Sequence, residues 1–347
     1  MVDHRKNKRA GGNARVAKPW SRTAKGLLKA ALAVIVLAAV GKQIADAASN
    51  MLAKGNRPTF DPIWVAASIA AYLAGLCFSG LFFGRVLKNS PTPVGYLPAL
   101  RAYLISHLAK YVPGKALVVV VRAGLVVPYG ARAVSAGFAT LYETLVFMAT
   151  GGMLAAIVFA GNGRSALPIA FVKGWKTSAP IDLIALAPGI GFFILTTPWV
   201  FPKIARLVTF PFKESVGESA IPRITWMLLL EGMVLSTISW AFLGASLAAI
   251  LKGISFLEDM PNIAFNLWPI GTAAVALSTV AGFVIAVAPG GLGVREWVVG
   301  HTLTPYLGTN RALIAALGLR LAWLGAEIFI AAVLIPLRPK LPKQMII

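Results

Sequence analysis

Acidic residues are scarce in this chain: 12 Asp and Glu stand against 33 Lys and Arg in 347 residues, a formal charge of +21. Charge of either sign is scarce too, at 13%; a soluble domain carries roughly a quarter. That shortage excludes an ordinary soluble globular protein. There is one cysteine, Cys77, inside an apolar run, so neither a disulfide within the chain nor a Cys-based metal or redox site can be built. The three histidines, His4, His107 and His301, are scattered, and no two sit at metal-ligand spacing with a carboxylate. No Gly-rich phosphate loop with its Lys-Ser/Thr and no Gly-x-Ser-x-Gly elbow is present. No cofactor and no metal are therefore expected, nor is catalysis by this chain alone.

What the chain has instead is apolar length. Hydrophobic residues make up 58% of it, and the mean hydropathy is +0.76. Runs long enough to cross ~30 Å of hydrocarbon fall at about 27–45, 62–87, 132–160, 181–201, 225–250, 267–288 and 311–336. Trp64, Trp199, Trp226 and Trp268 sit at their ends, as interfacial tryptophans do. Runs of this length without alternation suit helices and not barrel strands. The fold class expected is all-α integral membrane, with seven or eight spans.

The basic residues lie mostly between these runs, where they face lipid headgroups and set topology, so nucleic acid is not the expected partner. Residues 1–29 hold nine Lys or Arg and a single acid, Asp3. Residues 1–26 read as a disordered cytoplasmic tail, 27–336 as the membrane domain and 337–347 as a basic C-terminal tail. Ala45-Asp46-Ala47 mimics a signal-peptidase site, but the basic region before it is long for a signal peptide and the rest of the chain is multispanning. Localisation in a cell inner membrane with a cytoplasmic N-terminus is expected. Seven spans would then leave the C-terminus outside, whereas Arg338, Lys340 and Lys343 prefer the inside; an eighth crossing would remove the conflict.

Two segments are too short or too charged to be ordinary spans. Residues 101–127 carry His107, Lys110, Lys115 and Arg122 and are interrupted by Pro113-Gly114; residues 289–307 open with Pro289-Gly290-Gly291-Leu292-Gly293 and carry Arg295 and Glu296. Such backbone is tolerated at membrane depth where it is buried in protein or lines a wet cavity. Both read as re-entrant helices broken at Pro-Gly. Each is followed by a similar helix, Arg132-Ala133-Val134 with Glu143, and Arg311-Ala312-Leu313 with Arg320 and Glu327. This echo suggests two related halves, a common plan in transporters.

Ionisable residues inside a membrane need a partner or a task. One reading pairs Glu296 with Arg320 and Glu143 with Arg122 merely to neutralise buried charge. The other uses the break: a helix interrupted at Pro-Gly exposes free N–H groups and the positive end of its dipole. Two such ends meeting near Lys115, Arg122 and Arg320 would bind an anionic headgroup, with phosphate the natural guess.

Lys110-Tyr111-Val112-Pro113-Gly114-Lys115, the Tyr142-Glu143 helix, and Ala288-Pro289-Gly290-Gly291-Leu292-Gly293-Val294-Arg295-Glu296 followed by Arg320 resemble the lysylphosphatidylglycerol synthase transmembrane-region family. This is the flippase-like domain of multiple peptide resistance factors and of stand-alone proteins. The likeness runs from about residue 25 to the end. It implies movement of a lipid between leaflets, aminoacylated phosphatidylglycerol in the best-known members, without carrying over the substrate, for which the residues suggest an anionic phospholipid or isoprenyl-phosphate lipid; it matches Lys115, Glu143, Gly290, Gly291, Gly293, Glu296 and Arg320. With Arg122 and Arg295 these form the candidate substrate site. The sequence ends at Ile347 without an aminoacyl-transferase domain, so lysyl transfer is not expected. Two alternatives stay open: a non-transporting accessory subunit with a membrane enzyme as partner, and a membrane transferase using Glu296 or Glu143 as base.

Overall fold

In the computed structural model the described residues are 59–111, 116–161, 166–169, 177–209, 220–254, 263–285, 293–337 and 339. The first apolar run, both tails (apart from residues 337 and 339) and both Pro-Gly breaks lie outside them. Helices dominate: α1 (Pro62–Lys88), α2 (Tyr96–Ser106), α3 (Ala116–Val126), α4 (Ala133–Gly161), α5 (Ile181–Thr196), α6 (Phe201–Thr209), α7 (Trp226–Gly253), α8 (Ile263–Asn266), α9 (Trp268–Val284), α10 (Val294–Leu307) and α11 (Thr309–Leu334). Short 3-10 turns extend α2 over His107–Tyr111 and α3 over Val127–Tyr129. One antiparallel hairpin, β1 (Ala166–Ile169) with β2 (Thr177–Pro180), joins α4 to α5.

Four helices, α1, α4, α7 and α11, are long and apolar enough to cross a membrane. A fifth passage is made by α5 and α6 if that pair, bent by 71°, is one span. The bend has a local cause: Pro198 disfavours helix at the residue before it, and Thr197 is extended at ψ 148°. The run expected to end at 201 therefore breaks, and α6 turns away carrying Lys203 and Arg206 with Phe201 and Ala205 buried. The 267–288 run yields only the 17-residue α9, about 25 Å at 1.5 Å per residue. It falls short of a full span.

Helices α1 and α7 form the antiparallel spine. Asp61 caps α1 through Ile63 N–H, and Thr225 caps α7 through Leu228 N–H. Small residues let the two axes approach: Ser68 bonds Ser246 at 2.7 Å and Ser79 bonds Ser239 at 3.1 Å, as at helix contacts in lipid. Asp61 N–H donates to Gly253 O at one end, and Arg85 grips Glu231 in a bidentate pair at the other.

Contacts at the helix ends fix which way each element runs. Arg223 N–H meets Asn89 O and Ser135 meets Ala220 O, so α1 ends where α4 and α7 begin. This end is basic, with Arg85, Lys88, Arg101, Arg132, Lys203, Arg206 and Arg223. Helix α11 runs the same way as α1, since Phe60 packs beside Gly318 and Tyr72 beside Glu327. Two stretches each begin and end at the same end of the bundle. Residues 93–131 leave and return to one point, where Arg132 N–H donates to Thr92 Oγ1 at 3.0 Å. Arg101 of α2 and Tyr129 after α3 both reach carbonyls at the end of α11. Residues 254–308 likewise start where α7 ends and finish where α11 starts, at the opposite end.

Close backbone approach carries the contact between α4 and α5. A Cβ on Gly152 would lie 2.7 Å from Gly189 Cα and 2.9 Å from Ala185 O. Overpacking of this kind costs ~1–3 kcal/mol. Gly152→Ala should therefore lower thermal stability in detergent, whereas Gly325→Ala, which meets nothing within 4 Å, should leave it unchanged or raise it. Retention of monodisperse protein after heating reads both.

Candidate functional site

Five charged residues, Lys110, Arg295, Glu296, Arg320 and Glu327, gather where the stretches 93–131 and 254–308 meet. The first contributes Lys110 and Tyr111 from the turn after α2. The second contributes Arg295 and Glu296 from the first turn of α10. Between them stands the middle of α11, with Arg320 and Trp323, and Val275 and Ser278 of α9 close one wall.

Gly293 starts α10 at φ +78°, a conformation open to glycine at little cost. Its N–H donates to Glu296 Oε2 at 2.8 Å. The helix end expected to offer a free N–H at Gly293 is thus capped by its own carboxylate. Glu296 Oε1 also meets Arg320 at 2.7 Å, which fixes the half-helix against α11. Lys110 and the Tyr72 hydroxyl both donate to Glu327, which is fully buried, and Tyr72 stacks on Trp323 with ring centroids 4.5 Å apart. The tip of the first excursion is held to α1 and α11 by that trio.

Charge does not balance in this cleft. Lys110, Arg295 and Arg320 face Glu296 and Glu327, leaving one positive charge in excess among the described residues. Arg295 is the cation left over: its Nε is buried with no hydrogen-bond partner among the described residues. An uncompensated cation in an apolar bundle is costly, and an anion is what would satisfy it. The cavity is small here, about 30 Å³, room for a water or two.

Arg122 and Glu143 form a second, separate site. Their ion pair at 3.0 Å joins α3 to α4, and each residue is only 2% exposed. Tyr103 donates to Glu143, Arg122 donates to Ser106, and the guanidinium lies 4.0 Å from the Tyr103 ring centroid. Their hydrogen-bond partners among the described residues are all internal, so this group behaves as a sealed strut. Of the residues singled out from sequence, Arg295, Glu296, Arg320 and Gly293 converge on the cleft or its edge; Arg122 and Glu143 do not line it. Lys115, Gly290 and Gly291 lie outside the described residues.

The two sites share one plan. A half-helix ends at a positive-φ glycine, Gly130 or Gly308, the chain turns back into a long helix, and an ion pair spans the turn. The sense of charge is reversed: Arg122 pairs forward to Glu143, and Glu296 forward to Arg320. The long helices α4 and α11 run in opposite directions.

Sequence reasoning missed Lys110, Glu327 and Tyr72 as one group, because the Lys–Glu partners are 217 residues apart. It also missed Arg85 as the partner of Glu231. The signal available was stoichiometric: four intramembrane carboxylates, Glu143, Glu231, Glu296 and Glu327, each required a cation. Among the described residues no cluster of His, Cys, Asp and Glu could hold a metal. No protein-family profile matches the chain, and no curated protein matches it.

Arg122→Ala would strand Glu143 in the core, at a cost of ~3–5 kcal/mol. Stability in detergent should fall sharply in this variant and recover in part when Glu143→Gln is added. Equal losses in the single and double variants would contradict a paired strut.

Proposed function

We propose that this protein is a membrane translocator of an anionic phospholipid or lipid-linked phosphate, and that the headgroup passes through the cleft between Lys110, Arg295 and Arg320. The single observation that carries this reading is the surplus buried cation, Arg295, at a point where two broken helices meet. A phosphate would accept charge-assisted hydrogen bonds from such a cluster. Glu296 and Glu327 hold the other two cations in place and share them with the ligand when it enters. Apolar helix faces around the cleft suit the acyl chains, which stay in lipid while the headgroup moves.

The arrangement also suggests how the chain lies in a membrane. The basic end is cytoplasmic by the excess of Lys and Arg there. On this reading the five passages (α1, α4, α5 with α6, α7 and α11), together with the apolar run that the sequence has at 27–45, would put both termini inside. Residues 93–131 are a re-entrant excursion from the cytoplasmic side and 254–308 one from the opposite side. This removes the conflict over Arg338, Lys340 and Lys343, and it counts 267–288 within the second excursion. Inverted halves with a site at broken helices are a recurring transporter plan. The motif resemblance to the lysylphosphatidylglycerol synthase transmembrane-region family points the same way and supports membership in it.

The 30 Å³ cavity means that a headgroup enters only after the cleft widens. The interactions to be released are the pair Glu296–Arg320 and the trio Lys110–Glu327–Tyr72, which hold the two excursions independently. Opening one while the other stays closed would expose the cleft to one leaflet at a time.

Leaflet exchange in proteoliposomes tests the reading, with headgroup-labelled phosphatidylglycerol, an aminoacylated phosphatidylglycerol and an isoprenyl phosphate as probes. Wild type should accelerate at least one of them. Arg295→Gln, which removes the surplus charge without stranding a carboxylate, should slow that exchange ~10–100-fold, the equivalent of one hydrogen bond to a charged group. Glu296→Gln and Arg320→Ala should abolish it with yields within a few-fold of wild type. No exchange above empty vesicles by folded protein would favour the accessory-subunit reading instead.

A further inference from the structure

A second feature at the basic end is unrelated to the central cleft. Between α1 and α7 lies an open groove of about 480 Å³, within the ~300–1,000 Å³ range of built small-molecule sites. Leu81 of α1 and Leu230 and Val234 of α7 form its apolar walls, all of them facing outward; Leu230 is 58% exposed and Val234 52%. The Arg85–Glu231 pair forms its floor and Tyr96 of α2 closes one edge.

The chemistry at the rim is not that of a plain lipid-facing surface. Glu231 takes both bonds from Arg85, at 2.7 and 3.0 Å, and so neutralises that cation. Lys88 lies one turn further along α1, with its ammonium 4.0 Å from the centroid of the Tyr96 ring. Arg223 is brought to the same rim by its backbone bond to Asn89. Two cations beyond the compensated pair therefore stand at the end of α1, next to the Tyr96 edge of the apolar groove.

We propose that this groove holds one anionic phospholipid of the leaflet at the basic end, its acyl chain against Leu81, Leu230 and Val234 and its phosphate at Lys88 and Arg223. The site rests on the membrane reading given above and does not require translocation. Charge complementarity selects the occupant: the rim favours a headgroup with net negative charge, and a zwitterionic lipid with identical chains offers the same apolar contact without that match.

Native mass spectrometry of the full chain, exchanged into an equimolar mixture of phosphatidylglycerol and phosphatidylcholine with identical chains, tests this. Wild type should retain one phosphatidylglycerol in preference to phosphatidylcholine. Leu230→Trp with Val234→Trp, which fills the slot, and separately Lys88→Gln, at an exposed position, should each reduce that retention ~10-fold or more. Arg320→Ala, in the central cleft, should keep it. Equal retention of the two lipids by wild type would overturn the proposal, as would retention of phosphatidylglycerol by both groove variants. Loss in Arg320→Ala with retention in the groove variants would move the bound lipid to the central cleft. Failure of leaflet exchange with this binding pattern intact would refute the translocation reading alone.

Discussion

A charge carried into an apolar bundle has to meet an opposite charge, and this requirement organises the protein. Four glutamates inside the described helices each find a cation: Glu231 with Arg85, Glu327 with Lys110, Glu143 with Arg122 and Glu296 with Arg320. Each pair joins a different set of elements. The first locks α1 to α7, and the other three fasten half-length or turn elements to long helices. At Arg122–Glu143, the most deeply buried pair, removing one partner would leave a buried ion uncompensated, far costlier than the net worth of the pair. The pairs thus specify which half-helix sits against which full helix more than they add stability.

The proposed function rests on a place among the described residues where pairing is incomplete. At the strut Arg122–Glu143 the charges match and the hydrogen bonds go to internal partners, so this pair does not invite a ligand. In the cleft, Arg295 stands beside the pairs Lys110–Glu327 and Arg320–Glu296, and the site is left with an excess of one positive charge among the described residues. The same residue types in the same half-helix and turn arrangement therefore give a structural joint in one half of the molecule and a candidate anion site in the other. That contrast supports an origin in two related halves, one of which kept the vacancy.

Much of this was legible in the sequence. Runs at 62–87, 132–160, 225–250 and 311–336 became helices Pro62–Lys88, Ala133–Gly161, Trp226–Gly253 and Thr309–Leu334, because apolar length is a local property. The pairings Arg122–Glu143 and Glu296–Arg320 were also legible, since each spans a single turn of chain. What could not be read was long-range: which cation would reach Glu327, and that residues 254–308 return to the end they left. Hydropathy alone makes α9 look like a span; only its 17-residue length and its neighbours reveal a part of an excursion. The break after Thr196 was signalled by Pro198 and was outweighed in the reading by the apolar residues on either side.

The account stands or falls on two excursions that enter from opposite faces. Single cysteines introduced into a Cys77→Ala background and labelled with a membrane-impermeant thiol reagent from either side test it directly. Pro93→Cys and Ala133→Cys, the two feet of the first excursion, should both react from the cytoplasmic side alone. Lys252→Cys and Asn310→Cys, the feet of the second, should both react from the other side alone. Labelling of either pair from opposite faces would mean that the segment between them crosses the membrane, and would contradict a site built where two re-entrant tips meet.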